Sequence, residues 1–159
     1  MKFTNPAKGV LNTEEIYRSI INFIKNDPES DYKLIVGTDS HPGVEEVVFV
    51  TAIVIYRKGR GGKFYYHKEK LELDVNFKKR IFQEVARSLE VASNLTEGLI
   101  RDQNSIQNLD MEIHVDVGEK GPSSEIIKEV VGMVVGSGYE AMIKPDSYAA
   151  STVADRFTK

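Results

Sequence analysis

A chain of 159 residues, 41% hydrophobic and 28% charged, suits one domain with a real core, and its formal net charge of -3 gives no global attraction to nucleic acid. The absence of cysteine excludes disulfides, thiolate zinc centres and a cysteine nucleophile, and three histidines argue against an all-histidine metal site, whereas carboxylates are plentiful. No apolar run approaches membrane-spanning length and the polar N-terminus lacks the form of a signal peptide, so the expected compartment is the cytoplasm.

After a polar lead, Asn12 or Thr13 caps a helix with Glu14 and Glu15 in its first turn. Ile16, Ile20, Phe23 and Ile24 form its apolar stripe, and Asn26-Asp27-Pro28 stops it, so residues 1–30 read as an N-terminal helical extension of a single domain spanning 1–159. A β-branched run from Tyr32 then ends in Gly37-Thr38-Asp39-Ser40, with a turn at Pro42 and Gly43. This is the pattern of a buried central strand that carries one carboxylate to its end. Two further strands, 47–56 and 64–73, flank a glycine-rich tip at 58–62 and make an antiparallel meander.

The period then changes. Asp74 or Asn76 caps a long helix with Phe77, Ile81, Val85, Leu89, Ala92 and Leu95 on one face, ending near Gly98, before a polar loop at 101–108. Strand four, 111–117, ends in Asp116 and Gly118 as strand one ends in Asp39 and a turn. A helix opening at Gly121-Pro122-Ser123, with Ile126, Ile127, Val130, Val134 and Val135 inward, stops at 136–138. A fifth strand at 140–144 and a last helix from 148 to about 157, capped by Asp146, complete an α/β chain. Right-handed crossovers favour a five-stranded mixed sheet of order 3-2-1-4-5 with strand one central. Asp39 and Asp116 then meet beyond the carboxyl ends of neighbouring parallel strands, where such sheets bind ligands.

Adjacent aspartates repel unless a cation neutralises them, and hard oxygen ligands suit Mg²⁺ or Mn²⁺. Paired ions of this kind hydrolyse phosphodiesters. Glu84, at the flank of the long helix's apolar stripe, and Asp155, two turns into the last helix, are the further acids able to join such a site. The alternatives are an ion pair of Glu84 with Arg80 or Arg87 at helical spacing, and a solvated Asp155. His114 and Glu112 share the parity of Asp116, and His41 follows Asp39 closely.

Gly-Thr-Asp-Ser at 37–40, His-Val-Asp-Val-Gly at 114–118 and the terminal stretch Lys-Pro-Asp-Ser-Tyr-Ala-Ala-Ser-Thr-Val-Ala-Asp-Arg-Phe-Thr-Lys together resemble the bacterial YkuK-type family of ribonuclease H-like proteins. The resemblance implies a ribonuclease H-like fold and metal-binding acids on strand one, the first crossover helix, strand four and the last helix. These correspond to Asp39, Glu84, Asp116 and Asp155, with Mg²⁺ or Mn²⁺ as cofactor. The implied activity is two-metal-ion hydrolysis of RNA, an RNA–DNA hybrid or structured DNA.

Arg57, Lys58, Arg60 and Lys63 crowd the second hairpin among Tyr56, Phe64, Tyr65 and Tyr66, a composition able to neutralise phosphates and stack on bases. The expectation is therefore a metal-dependent nuclease with nucleic acid as partner. The alternatives are a non-catalytic nucleic-acid-binding module on the same fold and, last, a relative of the actin and sugar-kinase ATPases, which need two such domains.

Overall fold

A computed structural model describes residues 1–72, 75–101 and 109–147. Two short strands open the chain, β1 (Lys2–Asn5) and β2 (Gly9–Asn12), where the sequence reads only as a polar lead. Residues 1–30 are therefore not solely helical. The turn between them is built by Asn5, whose side-chain oxygen accepts from the amides of Ala7 and Lys8, both at 2.9 Å. Helix α1 (Thr13–Lys25) follows with a reciprocal cap: Asn12 accepts from the Glu15 amide at 2.8 Å, and the Glu15 side chain accepts from the Asn12 amide at 3.1 Å.

The meander consists of β3 (Tyr32–Pro42), β4 (Val47–Arg57) and β5 (Gly62–Leu71). Helix α2 (Phe77–Arg101) comes next, its start supported by Asn76, which accepts from the Lys79 amide at 2.9 Å. Asp74, the other expected cap, lies outside the described residues. The helix does not end near Gly98 but runs through it. An added Cβ there would lie 2.6 Å from Cδ1 of Tyr17, so the missing side chain is what lets α1 and α2 close together. After β6 (Leu109–His114), a 3-10 turn (Pro122–Ile126) leads into α3 (Ile127–Gly136), and β7 (Glu140–Met142) is three residues long.

Among the described residues the sheet has seven strands rather than the expected five, in the order β2-β1-β5-β4-β3-β6-β7. Strand β3 pairs antiparallel with β4 along its whole length and parallel with β6 only from Tyr32↔Leu109 to Gly37↔His114. Side chains of one parity, including Leu34, Val36, Ile53, Ile55, Tyr65 and Ile113, join Ile16 and Ile20 of α1, Ile81, Val85 and Leu95 of α2, and Val130 and Val134 of α3 in one buried cluster. The opposite parity places Ile35 and Val54, with Tyr56 and Phe64 against them, on the second face. Among the described residues no helix is long and apolar enough to cross a membrane.

Candidate functional site

Asp39 is not at the end of its strand. It sits inside β3, opposite Val50 of β4, two residues past the last pairing with β6. The central strand outruns its parallel neighbour there, and the resulting step leaves room for side chains from other elements. Asp39 is half-buried and its Oδ1 accepts from the Ser40 amide at 2.9 Å. Asp116 lies two residues beyond β6, where pairing persists irregularly through Val115 N–H to Met142 C=O and Lys144 N–H to Val117 C=O, both 2.9 Å. Its carboxylate is held by the Lys144 ammonium at 2.9 Å.

Glu84 comes from α2, and a polar seam sets the helix's register against β3. The Ser40 hydroxyl donates to Glu84 Oε2, Arg80 reaches Ser40 Oγ at 3.0 Å, and Ser88 meets Thr38 at 2.8 Å. Arg80, Glu84 and Ser88 follow one another at four-residue steps, so one side of α2 delivers all three. The helical ion pairs open to Glu84 in the sequence are not made: Arg80 turns to Ser40, and Arg87 to Glu69 and Gln83. Glu84 is 3% exposed and its Oε1 has no hydrogen-bond partner. Burial first, then the Asp39 and Asp116 carboxylates, push its pKa well above the ordinary glutamate range, against the Ser40 hydrogen bond and the Arg80 charge.

Two of the other expected acids, Asp39 and Asp116, thus act on Glu84 at one end of the sheet. Asp155, the fourth, lies outside the described residues. An all-carboxylate donor set with one buried, unpartnered oxygen fits a hard divalent cation. Among the described residues, no three such groups stand close enough to enclose one as they are. Lys144 and Ser40 hold two of the acids instead. Thr38, Ser40 and Lys144 stand within the quoted motifs and Arg80 was weighed as a helical partner of Glu84, but sequence reading gave none of them a place beside the acids; Ser88 carried no signal beyond polarity at the flank of an apolar stripe.

The hairpin cations are largely engaged within the chain. Arg57 donates to Tyr32 Oη and the Phe23 carbonyl, lies 4.3 Å from the Phe23 ring centroid and approaches Asp27. Arg60 pairs with Asp27 at 3.0 Å and Lys58 with Asp110 at 2.9 Å. Lys63 stands 5.3 Å from the Phe23 centroid, its pKa lowered by burial and by Lys8 and Arg57. The tip is thereby fastened to the end of α1. His41 is exposed at the end of β3, and Asp146 is exposed in the turn after β7.

A family model described as Ribonuclease H-like matches residues 15–159. The chain belongs to the ribonuclease H-like family. This ribonuclease H-like chain is also 31% identical, over 166 aligned positions, to the uncharacterized protein YkuK of Bacillus subtilis (strain 168), with 99% of this chain and 96% of the relative covered. No solved structure matches it.

Proposed function

We propose that this ribonuclease H-like chain is a divalent-metal-dependent nuclease acting on RNA, an RNA–DNA hybrid or structured DNA in the cytoplasm. The observation that carries the reading is Glu84: a buried carboxylate with a free oxygen, flanked by Asp39 and Asp116 where β3 outruns β6. Burying an acid unpaired beside two others is costly, so it calls for a functional reason. Asp39, Glu84 and Asp116, with Asp155 as the expected fourth, would hold Mg²⁺ or Mn²⁺. When bound, such ions lower the pKa of water and stabilise charge on a phosphodiester. Ser40 orients Glu84 through its hydroxyl, and Arg80 steadies Ser40. Lys144 neutralises Asp116, a role that a bound cation would share. Lys58 and Arg60, whose ion pairs are exposed and exchangeable, are the hairpin groups placed to meet phosphates, while Arg57 is mainly structural.

A non-catalytic nucleic-acid-binding module is the second reading, favoured by the Lys144–Asp116 pair, which balances the acids without an ion. The deciding assay incubates labelled single strands, duplexes, hybrids and junctions with Mg²⁺, Mn²⁺ or Ca²⁺. The nuclease reading expects cleavage with the first two ions, binding alone with Ca²⁺, and loss of cutting but not of binding in Asp116→Asn. Binding without cleavage in every combination would establish the module instead.

A further inference from the structure

On the sheet face away from the helices lies a hollow of about 540 Å³, open to solvent, in the size range of small-molecule sites. Its lining follows from strand register. Lys33 stands opposite Tyr56, Ile35 opposite Glu112, and His114 opposite Met142, so these six side chains share one face. Ile35, Tyr56 and Met142 make apolar walls, and Lys58 stands at the rim.

The polar floor is a chain of three groups, two of them buried. Lys33 Nζ pairs with Glu112 Oε2 at 3.1 Å, and Glu112 Oε1 meets His114 Nε2 at 3.0 Å. Glu112 and His114 are each only 6% exposed. The contact to the carboxylate uses Nε2 of His114 and leaves Nδ1 over, and this buried nitrogen has no partner among the described residues. Lysine and imidazole keep the carboxylate ionised against its burial, the lowered pKa of Glu112 being the net result of burial opposed by His114 and Lys33. Both Glu112 oxygens retain acceptor capacity beyond these contacts. His114 also lines a narrow cleft with Glu84 and Asp116, so one imidazole borders both the hollow and the acid end. From Glu112 to Asp116 the chain spans no more than about 14 Å, within reach of a single nucleotide.

We propose that this hollow seats one nucleotide of the substrate strand beside the acid cluster and selects bases that carry an exocyclic amino group. The inference rests on the nucleic-acid reading above and names the part of the strand that this face recognises. The base lies along Tyr56, Ile35 and Met142, its amino group donates to Glu112, and His114 Nδ1 takes a neighbouring polar atom of base or sugar. A carboxylate only accepts, so it favours the paired donors of an exocyclic amino group over the single ring N–H that uracil offers. The phosphate lies toward Lys58, whose partner Asp110 is exposed and readily exchanged for another anion.

The test titrates AMP, GMP, CMP and UMP separately into the isotopically labelled full chain, with EDTA present so that neither metal nor cleavage is involved. The Met142 methyl and the His114 ring nitrogens report occupancy. The expected result is that AMP, GMP and CMP shift both, while UMP, which lacks an amino group, binds at least about tenfold more weakly, one good base contact. Glu112→Gln should erase that preference. If this variant fails to fold, Tyr56→Ala, at the half-exposed wall, should weaken all four ligands and preserve their ranking. Shifts confined to hairpin lysines, or equal binding of UMP, would overturn the proposal. Absence of nuclease activity would leave it standing, and an active nuclease whose hollow ignores all four ligands would overturn it alone.

Discussion

Replacing Glu84 by Gln separates the electrostatic cost of the buried acid from its shape. Gln keeps the volume and still accepts from the Ser40 hydroxyl, but it cannot ionise. Because the folded pKa of Glu84 lies above its unfolded value, the native state binds the extra proton. That contribution to stability is fully present below the unfolded glutamate pKa and is lost as pH rises toward the folded one. Across that window the parent loses up to about 1.4 kcal/mol per pH unit relative to the variant. For a domain of this size each kcal/mol moves Tm by about 2–4 °C, so the Tm of the parent should fall relative to that of the variant by about 3–6 °C per pH unit. The amide nitrogen placed where Oε1 was unpartnered costs about 1–3 kcal/mol at every pH. The slope therefore carries the information and the offset does not. The assay is thermal unfolding of both proteins in EDTA from pH 4 to pH 8. Parallel Tm profiles, or a variant that loses ground to the parent as pH rises, would refute a buried, charge-crowded Glu84.

Lys144→Met should raise Mn²⁺ affinity by up to about fivefold in calorimetry, because the half-exposed ammonium competes with the ion for Asp116; unchanged affinity would place the ion elsewhere. Asp27→Ala releases Arg60, so nucleic-acid affinity should rise and fall more steeply with salt; identical salt slopes would remove the hairpin tip from the binding surface. Gly98→Ala should lower stability by about 1–3 kcal/mol in denaturant titrations, since the clash with Tyr17 outweighs alanine's gain of about 1 kcal/mol in helix propensity. A stabilised Gly98→Ala would show that the α1–α2 contact is looser than drawn.

The long elements were legible because each repeats its signal. Strands β3 and β4 carry unbroken β-branched runs, and α2 carries an apolar stripe over 25 residues. The opening hairpin has two four-residue strands with one buried apolar side chain, Phe3, too little for either period to register. Glu84 stood out as an acid beside an apolar stripe. Its hydrogen bond to Ser40 did not, because Ser40 lies 44 positions away and is recruited only when α2 docks. The run of β3 past Asp39 was hidden too: Pro42 and Gly43 do mark the turn, but Asp and Ser before them read as part of it, whereas pairing with β4 continues through Ser40 and His41 to Pro42, opposite Val47. The Glu112–His114 pair was visible as alternation, but its purpose depends on Lys33, brought alongside by parallel pairing.

The opening hairpin also decides what the sheet offers to other molecules at its margin. Strand β5 is ten residues long and would expose a row of unpaired amides and carbonyls, a template on which a second chain can add a strand. Strand β1 occupies that place, pairing Thr4 with Tyr66, while the Asn5 side-chain Nδ2 donates to the Phe64 carbonyl and the His67 ring meets the Lys2 carbonyl. The margin passes to β2, only four residues long, and the far margin is the three-residue β7. A chain that lost this cover would turn its meander outward as an adhesive edge, and its first failure would be self-association rather than unfolding.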